Sequence, residues 1–277
     1  METATPSFKG MFFGPSGVGK TVLAMQLAQK LKKPGKSIIY VDSLEGWVSL
    51  LNHPGTRDDV TRVSYEGVSQ IEFLVSAIKN KVPPFDKVGV LVFDEYSSMM
   101  NSDLLRVLKT RSQADDKKEP DQATLPDYGI NTVRFIKLTT LILQELPDIN
   151  VIFVAHPRKE RNEITKREYV SGDFLPKFSG IFKGYLHLIG YVTSNETSTG
   201  DTIKYDRKVQ VHPSRGVDAK SRVGGLDVYV SSNKLIKAIL EWMEGARTTE
   251  NNDRSLVTTE EEKEIQVGDD FQGIEVQ

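Results

Sequence analysis

Eight residues near the amino end, GPSGVGKT at 14–21, constrain this chain more tightly than any other stretch. Two glycines bracket four residues and are followed by Lys20 and Thr21. The backbone must turn sharply, aim successive N–H groups at one point, and then enter a helix. Amides gathered at the positive end of a helix attract phosphate oxygens. The flanks fit: "FKGMFF" at 8–13 is a short apolar run, and Leu23, Leu27 and Leu31 recur with Ala24 and Ala28 on one helical face. Strand, loop and amphipathic helix is the context in which this spacing cradles a nucleoside triphosphate. Gly14, Pro15, Ser16, Gly17, Val18, Gly19, Lys20 and Thr21 are therefore the expected nucleotide contacts, with Lys20 on the β and γ phosphates and the Thr21 hydroxyl on Mg²⁺. ATP and Mg²⁺ are the expected cofactors.

The rest of the chain repeats the pattern. "SIIYV" runs to Asp42, and Val68, Ile71, Leu74, Val75 and Ile78 form an apolar helical face. "VGVLVF" ends at Asp94-Glu95, and a helix expected over Ile130–Leu146 leads into "VIFVA" and His156. Fully apolar strands alternating with amphipathic helices predict an α/β fold, a mostly parallel sheet flanked by helices. After residue 184, "YLHLIGYV" and "YDRKVQVH" alternate over shorter lengths around the turn-rich "TSNETSTGD", predicting antiparallel C-terminal strands; a last helix is expected over Leu235–Met243. The expected domain is residues 1–244. Residues 245–277 carry three basic and nine acidic side chains and read as a disordered acidic tail, leaving a body of net charge +4. The absence of cysteine excludes disulfides and thiolate zinc sites, and His53, His156, His187 and His212 are too scattered for a local metal motif. No charged-then-apolar leader is present and no apolar run approaches the roughly 18 residues that cross a bilayer, so a cytoplasmic protein without membrane contact is expected.

Asp94 closes an apolar strand, where open α/β sheets place ligand groups, and a carboxylate there can hold magnesium through water. Hydrolysis also needs a group that orients or deprotonates water. Two glutamates compete for it: Glu95, directly after Asp94, and Glu45, just past the second strand in "VDSLEG". Spacing alone leaves both open.

With GPSGVGKT, "VGVLVFDE" and "YVDSLEGW" in hand, the chain resembles the RecA-like recombination ATPases over about residues 8–243, and more closely their compact bacteriophage versions linked to single-strand annealing and recombination. That group carries its water-activating glutamate after the second strand, often as D-x-E; here the string is D-S-L-E, one residue longer, ending in Glu45. The resemblance implies a RecA-like P-loop core and an ATPase acting on single-stranded DNA in phage recombination, annealing or replication. It also implies a homo-oligomer, with a single-strand binding or replication protein as a possible partner. "VIFVAH" resembles the strand ending in a γ-phosphate sensor, a place His156 could fill; a histidine that merely caps the strand is the plain alternative. "AKSRVGGLDVYV" is similar to the segment that sends two basic residues into a neighbouring subunit's nucleotide, which would make Lys220 and Arg222 trans-acting fingers; ordinary surface cations are the other reading.

Two segments lie where this family places DNA loops. Residues 106–126 are of mixed charge, and residues 156–184 carry seven basic and four acidic residues with Tyr169, Phe174, Phe178 and Phe182 between them. Basic groups track a phosphate backbone, and exposed aromatics stack on unpaired bases. The tail could compete for these loops or dock a partner through Phe271 and Ile274. A P-loop motor or loader of helicase or clamp-loader type, and a nucleotide switch that does not hydrolyse, are the alternatives.

Overall fold

The computed structural model describes residues 7–114, 122–161, 166–199, 202–214 and 216–245, so the tail expected beyond Gly245 lies outside them. The apolar runs form the parallel strands β1 (Lys9–Phe13), β2 (Ser37–Asp42), β4 (Val88–Asp94) and β5 (Asn150–Ala155), and a strand not expected from the sequence, the largely exposed edge strand β3 (Val60–Ser64), pairs parallel with β2. A small antiparallel hairpin, β6 (Pro157–Arg161) and β7 (Glu168–Gly172), follows β5 directly. The main sheet then continues through β8 (Leu188–Thr199), β9 (Thr202–Gln210), β10 (Lys220–Ser221) and β11 (Tyr229–Ser231). Its order is β11-β9-β8-β1-β5-β4-β2-β3, with β10 on β8. One strand, β5, separates the strand before the phosphate loop from the strand that ends in Asp94.

Alternation along each strand sends side chains to two faces. Met11, Phe13, Ile39, Val41, Phe93 and Phe153 pack against α2 (Val68–Lys79), α3 (Tyr96–Ala114), α4 (Leu125–Glu145) and α5 (Pro176–Tyr185). Phe12, Ile38, Tyr40, Val92 and Val154 pack against α1 (Lys20–Leu31) and α6 (Ser232–Met243). Helices on both faces explain why the central strands are apolar throughout. Among the described residues no helix is long and apolar enough to cross a membrane.

Several elements differ from the sequence expectation. The first segment treated as a loop is partly the end of α3, which runs to Ala114, and residues 115–121 lie outside the described residues. α4 starts five residues before Ile130, where Thr124 and Asp127 form a capping box and Pro126 fits the first turn. β8 pairs antiparallel with β9 but parallel with β1, so it belongs to the core sheet as well as to the C-terminal extension. Residues 156–184 contain the β6–β7 hairpin and most of α5; residues 162–165 are not among those described. Phe174, Phe178 and Phe182 are fully buried around Tyr96. Burying one phenylalanine stabilises the fold by about 1.5–3 kcal/mol, as much as one base stack of about 1–3 kcal/mol would return. These rings are core, and they do not form a stacking surface.

Candidate nucleotide site

β1 ends against the carbonyl of Val192 so closely that a Cβ on Gly14 would lie 2.4 Å from its oxygen. The loop then needs left-handed backbone at Gly17 (φ 80°) and Gly19 (φ 84°) before α1 begins at Lys20. Lys20 is buried at the centre of this turn. Its Nζ donates to the carbonyls of Gly14 (2.9 Å) and Pro15 (3.0 Å) and lies 3.4 Å from Glu95 Oε1.

The second wall is the end of β4. Asp94 is buried; its Oδ2 accepts a hydrogen bond from the Tyr40 hydroxyl at 2.7 Å, and the Thr21 hydroxyl also bonds its carboxylate. Burial pushes the Asp94 carboxyl up, and the two hydroxyls oppose that shift. A threonine hydroxyl and a buried carboxylate beside the phosphate loop fit magnesium, which binds through one or two carboxylates and keeps several waters. Gly46 closes over the pair: a Cβ there would stand 2.6 Å from Tyr40 Oη and 2.8 Å from Asp94 Oδ2. Gly46→Ala is expected to destabilise the protein by about 1–3 kcal/mol through overpacking, read as a lower midpoint in urea.

Glu95 is the glutamate inside the site. Its Oε1 faces Lys20, and its Oε2 meets His156 Nε2 and, at 3.4 Å, the Ser98 hydroxyl. Ser43, at the end of β2, fixes the backbone from both directions: Glu95 N–H donates to Ser43 Oγ (2.9 Å), and Ser43 Oγ donates to the Glu95 carbonyl (3.1 Å). Burial pushes the Glu95 carboxyl up to about 7, against the pull of Lys20. Burial and the nearby Lys20 charge hold His156 below its ordinary value. Both shifts favour neutral groups, so one proton shared between Glu95 and His156 accounts for their contact. His156 directly follows β5, and its own N–H donates to Ser97 Oγ at 3.0 Å.

The raised Glu95 value has two consequences with defined signs. A base must be ionised, so nucleotide turnover is expected to rise with pH through about 7. Folding responds in the opposite direction. The stabilisation that Glu95 contributes is complete below its unfolded value of 4.5 and is lost as pH rises through about 7. The melting temperature of the wild type minus that of Glu95→Gln should therefore fall across this window. A flat difference would contradict the assignment.

Glu45 stands elsewhere. It is exposed in a left-handed conformation (φ 56°) at the entry to a short 3-10 turn, Gly46–Leu50; its carbonyl accepts from the Val48 N–H at 3.1 Å, and its carboxylate makes no hydrogen bond or ion pair among the described residues. The carboxylate that organises this turn is Asp42, which accepts from the Gly46 N–H at 2.9 Å and pairs with Arg62 at 2.8 Å. Lys220 and Arg222 sit at the start of β8, level with Leu188 and Ile189, whereas the phosphate loop follows the other end of β1. Lys220 Nζ donates to the Lys183 carbonyl (2.7 Å) and Arg222 to the Gly184 carbonyl (3.2 Å), two cations on the last turn of α5. The structure thus brings together Lys20, Thr21, Asp94, Glu95 and His156, and leaves Glu45, Lys220 and Arg222 outside that cluster.

Sequence reasoning missed Tyr40 and Ser43, which position Asp94 and Glu95, and Arg207, whose Nε donates to the Val18 carbonyl at 3.0 Å. Tyr40 lies two residues before Asp42 on one strand, the only local signal among the three.

The chaperone protein ClpB of Dichelobacter nodosus is 28% identical over 172 residues, which is 61% of this chain and 18% of ClpB; the chain thus spans under a fifth of that relative. The flagellar accessory protein FlaH from Methanocaldococcus jannaschii superposes with a TM-score of 0.43 at 12% identity, covering 81% of this chain and 84% of FlaH. The family model AAA_24, described as an AAA domain, matches residues 7–223. With its phosphate loop, its buried Asp94-Glu95 pair and that match over most of its length, the chain belongs to the AAA domain family of P-loop ATPases.

Proposed function

We propose that the protein is a magnesium-dependent ATPase whose turnover is coupled to single-stranded DNA in recombination, annealing or replication. The loop amides and Lys20 bind the β and γ phosphates, and Thr21 and Asp94 would hold the magnesium ion. Bound there, magnesium would neutralise charge on the phosphate oxygens. Glu95 orients a water toward the γ-phosphorus and takes its proton as the new P–O bond forms and the bond to the bridging oxygen breaks, releasing ADP and phosphate. His156 receives or returns that proton through its contact with Glu95.

One observation carries the coupling to DNA. The β6–β7 hairpin leaves the sheet immediately after His156 and exposes Arg158, Lys159 and Arg161. Its base returns to His156 through the Asp173 N–H, which donates to the His156 carbonyl at 2.8 Å. A change at Glu95 therefore reaches a basic, exposed hairpin through one residue. With the three phenylalanines in the core and Tyr169 bonded to Glu160, contact with DNA would be mainly electrostatic and salt-sensitive.

The position of Glu95, against the exposed Glu45, favours a second reading, a P-loop motor or loader of helicase or clamp-loader type. Assembly with Lys220 and Arg222 in a neighbour's site would require both to leave the α5 carbonyls they hold. ATP hydrolysis measured without nucleic acid, with single-stranded DNA and with duplex DNA separates the readings. Stimulation by single strands supports the first, and stronger stimulation by duplex or forked DNA supports the second. Equal rates in all three would remove the coupling.

A further inference from the structure

The β8–β9 hairpin touches the phosphate loop at both of its ends. At the first end, the Val192 carbonyl abuts Gly14. At the second, Arg207, paired with Ser194 across the hairpin, donates from Nε to the Val18 carbonyl and lays its guanidinium on Gly19. A Cβ at Gly19 would be 2.1 Å from Nη2 and 2.6 Å from Cζ. Arg207 is half-buried and has no carboxylate in reach among the described residues; its neighbour Asp206 faces Lys208 at 3.8 Å instead. Burial lowers the guanidinium below its ordinary value, with no neighbouring charge to offset it.

A half-buried cation without a counter-charge is costly, and this one lies on Gly19, at the positive end of α1, where the helix dipole repels it. One carbonyl acceptor does not call for a charged donor with five N–H groups. An anion would relieve both the desolvation and the repulsion, and the planar fork of arginine suits phosphate oxygens. We propose that Arg207 is a further nucleotide-binding residue, taking the polyphosphate as its counter-ion and so tying the β8–β9 hairpin to the nucleotide. This rests on the nucleotide site proposed above. It also gives the hairpin a function: its order follows the occupancy of the loop.

The test is calorimetric titration of the full chain with Mg·ATP and with inorganic tripolyphosphate, for the wild type, Arg207→Met, Arg207→Lys and Lys20→Ala. Arg207→Met should weaken both ligands by about 10- to 100-fold, with partial recovery in Arg207→Lys. Its melting temperature without nucleotide should be no lower than wild type, because an unpaired half-buried charge has been removed, so the lost affinity is not unfolding. Amide exchange in β9 should slow with ATP in the wild type and not in Arg207→Met. If Arg207→Met fails to fold, Arg207→Lys carries the test, since it keeps the charge and loses the fork; it should bind at least about threefold more weakly than wild type. ATP affinity equal to wild type in the folded variant overturns the role of Arg207 while leaving the nucleotide site standing. A wild type that binds no better than Lys20→Ala overturns the site itself, Arg207 included.

Discussion

Replacing Lys20 with alanine should reduce ATP turnover by at least about 10³-fold and weaken ATP binding together with it. Lys20 is buried among the Gly14 and Pro15 carbonyls and Glu95, so its ammonium is already fixed where the phosphates would lie and needs no reorganisation. Preorganised donors of this kind are worth about 10²–10³ each in kcat, and more where charge accumulates. The variant also leaves Glu95 without its cationic neighbour, which should drive that carboxyl further toward its neutral form. Binding and chemistry should therefore fail together. Turnover within about tenfold of wild type would contradict the placement of the phosphates on this loop.

Glu95→Gln should behave differently. The amide keeps the shape of the side chain but cannot accept a proton, so kcat should fall by about 10²–10⁴ while ATP affinity changes little. Glu45→Gln should leave both within about twofold, since Glu45 is exposed and outside the cluster of Lys20, Asp94 and His156; a surface change of this kind is usually small. The reverse outcome, with Glu45→Gln inactive and Glu95→Gln active, would restore the role that the family resemblance implied for Glu45 in D-S-L-E and demand a different bound conformation of the turn at Gly46–Leu50. Steady-state rates and calorimetric affinities for the two variants decide it.

What the sequence revealed followed from how local each feature is. The phosphate loop was legible because eight consecutive residues carry its geometry, and Asp94 because an apolar strand leads straight to it. The choice between Glu45 and Glu95 was not legible, because it depends on how the end of β2 meets the end of β4, which Ser43 and Tyr40 settle in three dimensions. α3 was hidden because its buried face includes Ser97 and Asp103, which break the apolar period, and α5 because it is short, opens with Pro176 and contains Gly180 and Gly184. β8 reads as an alternating strand and does alternate; its parallel pairing with β1 joins residues far apart in the chain and leaves no local mark. Arg207 is the extreme case, 189 positions along the chain from Val18. The basic pair Lys220 and Arg222 had a family-like spacing, but the acceptors they meet are the carbonyls of α5, which no spacing could announce.

The central claim is that Glu95, set between Lys20 and His156, performs hydrolysis on a nucleotide held by the loop at 14–21. Its most direct measurement is the identity of the nucleotide recovered from the protein after incubation with Mg·ATP, rapid gel filtration and acid quench. The wild type should carry ADP, and Glu95→Gln should carry intact ATP in similar amount. Recovery of ADP from Glu95→Gln at the wild-type level, or of no nucleotide from either protein, would contradict the account.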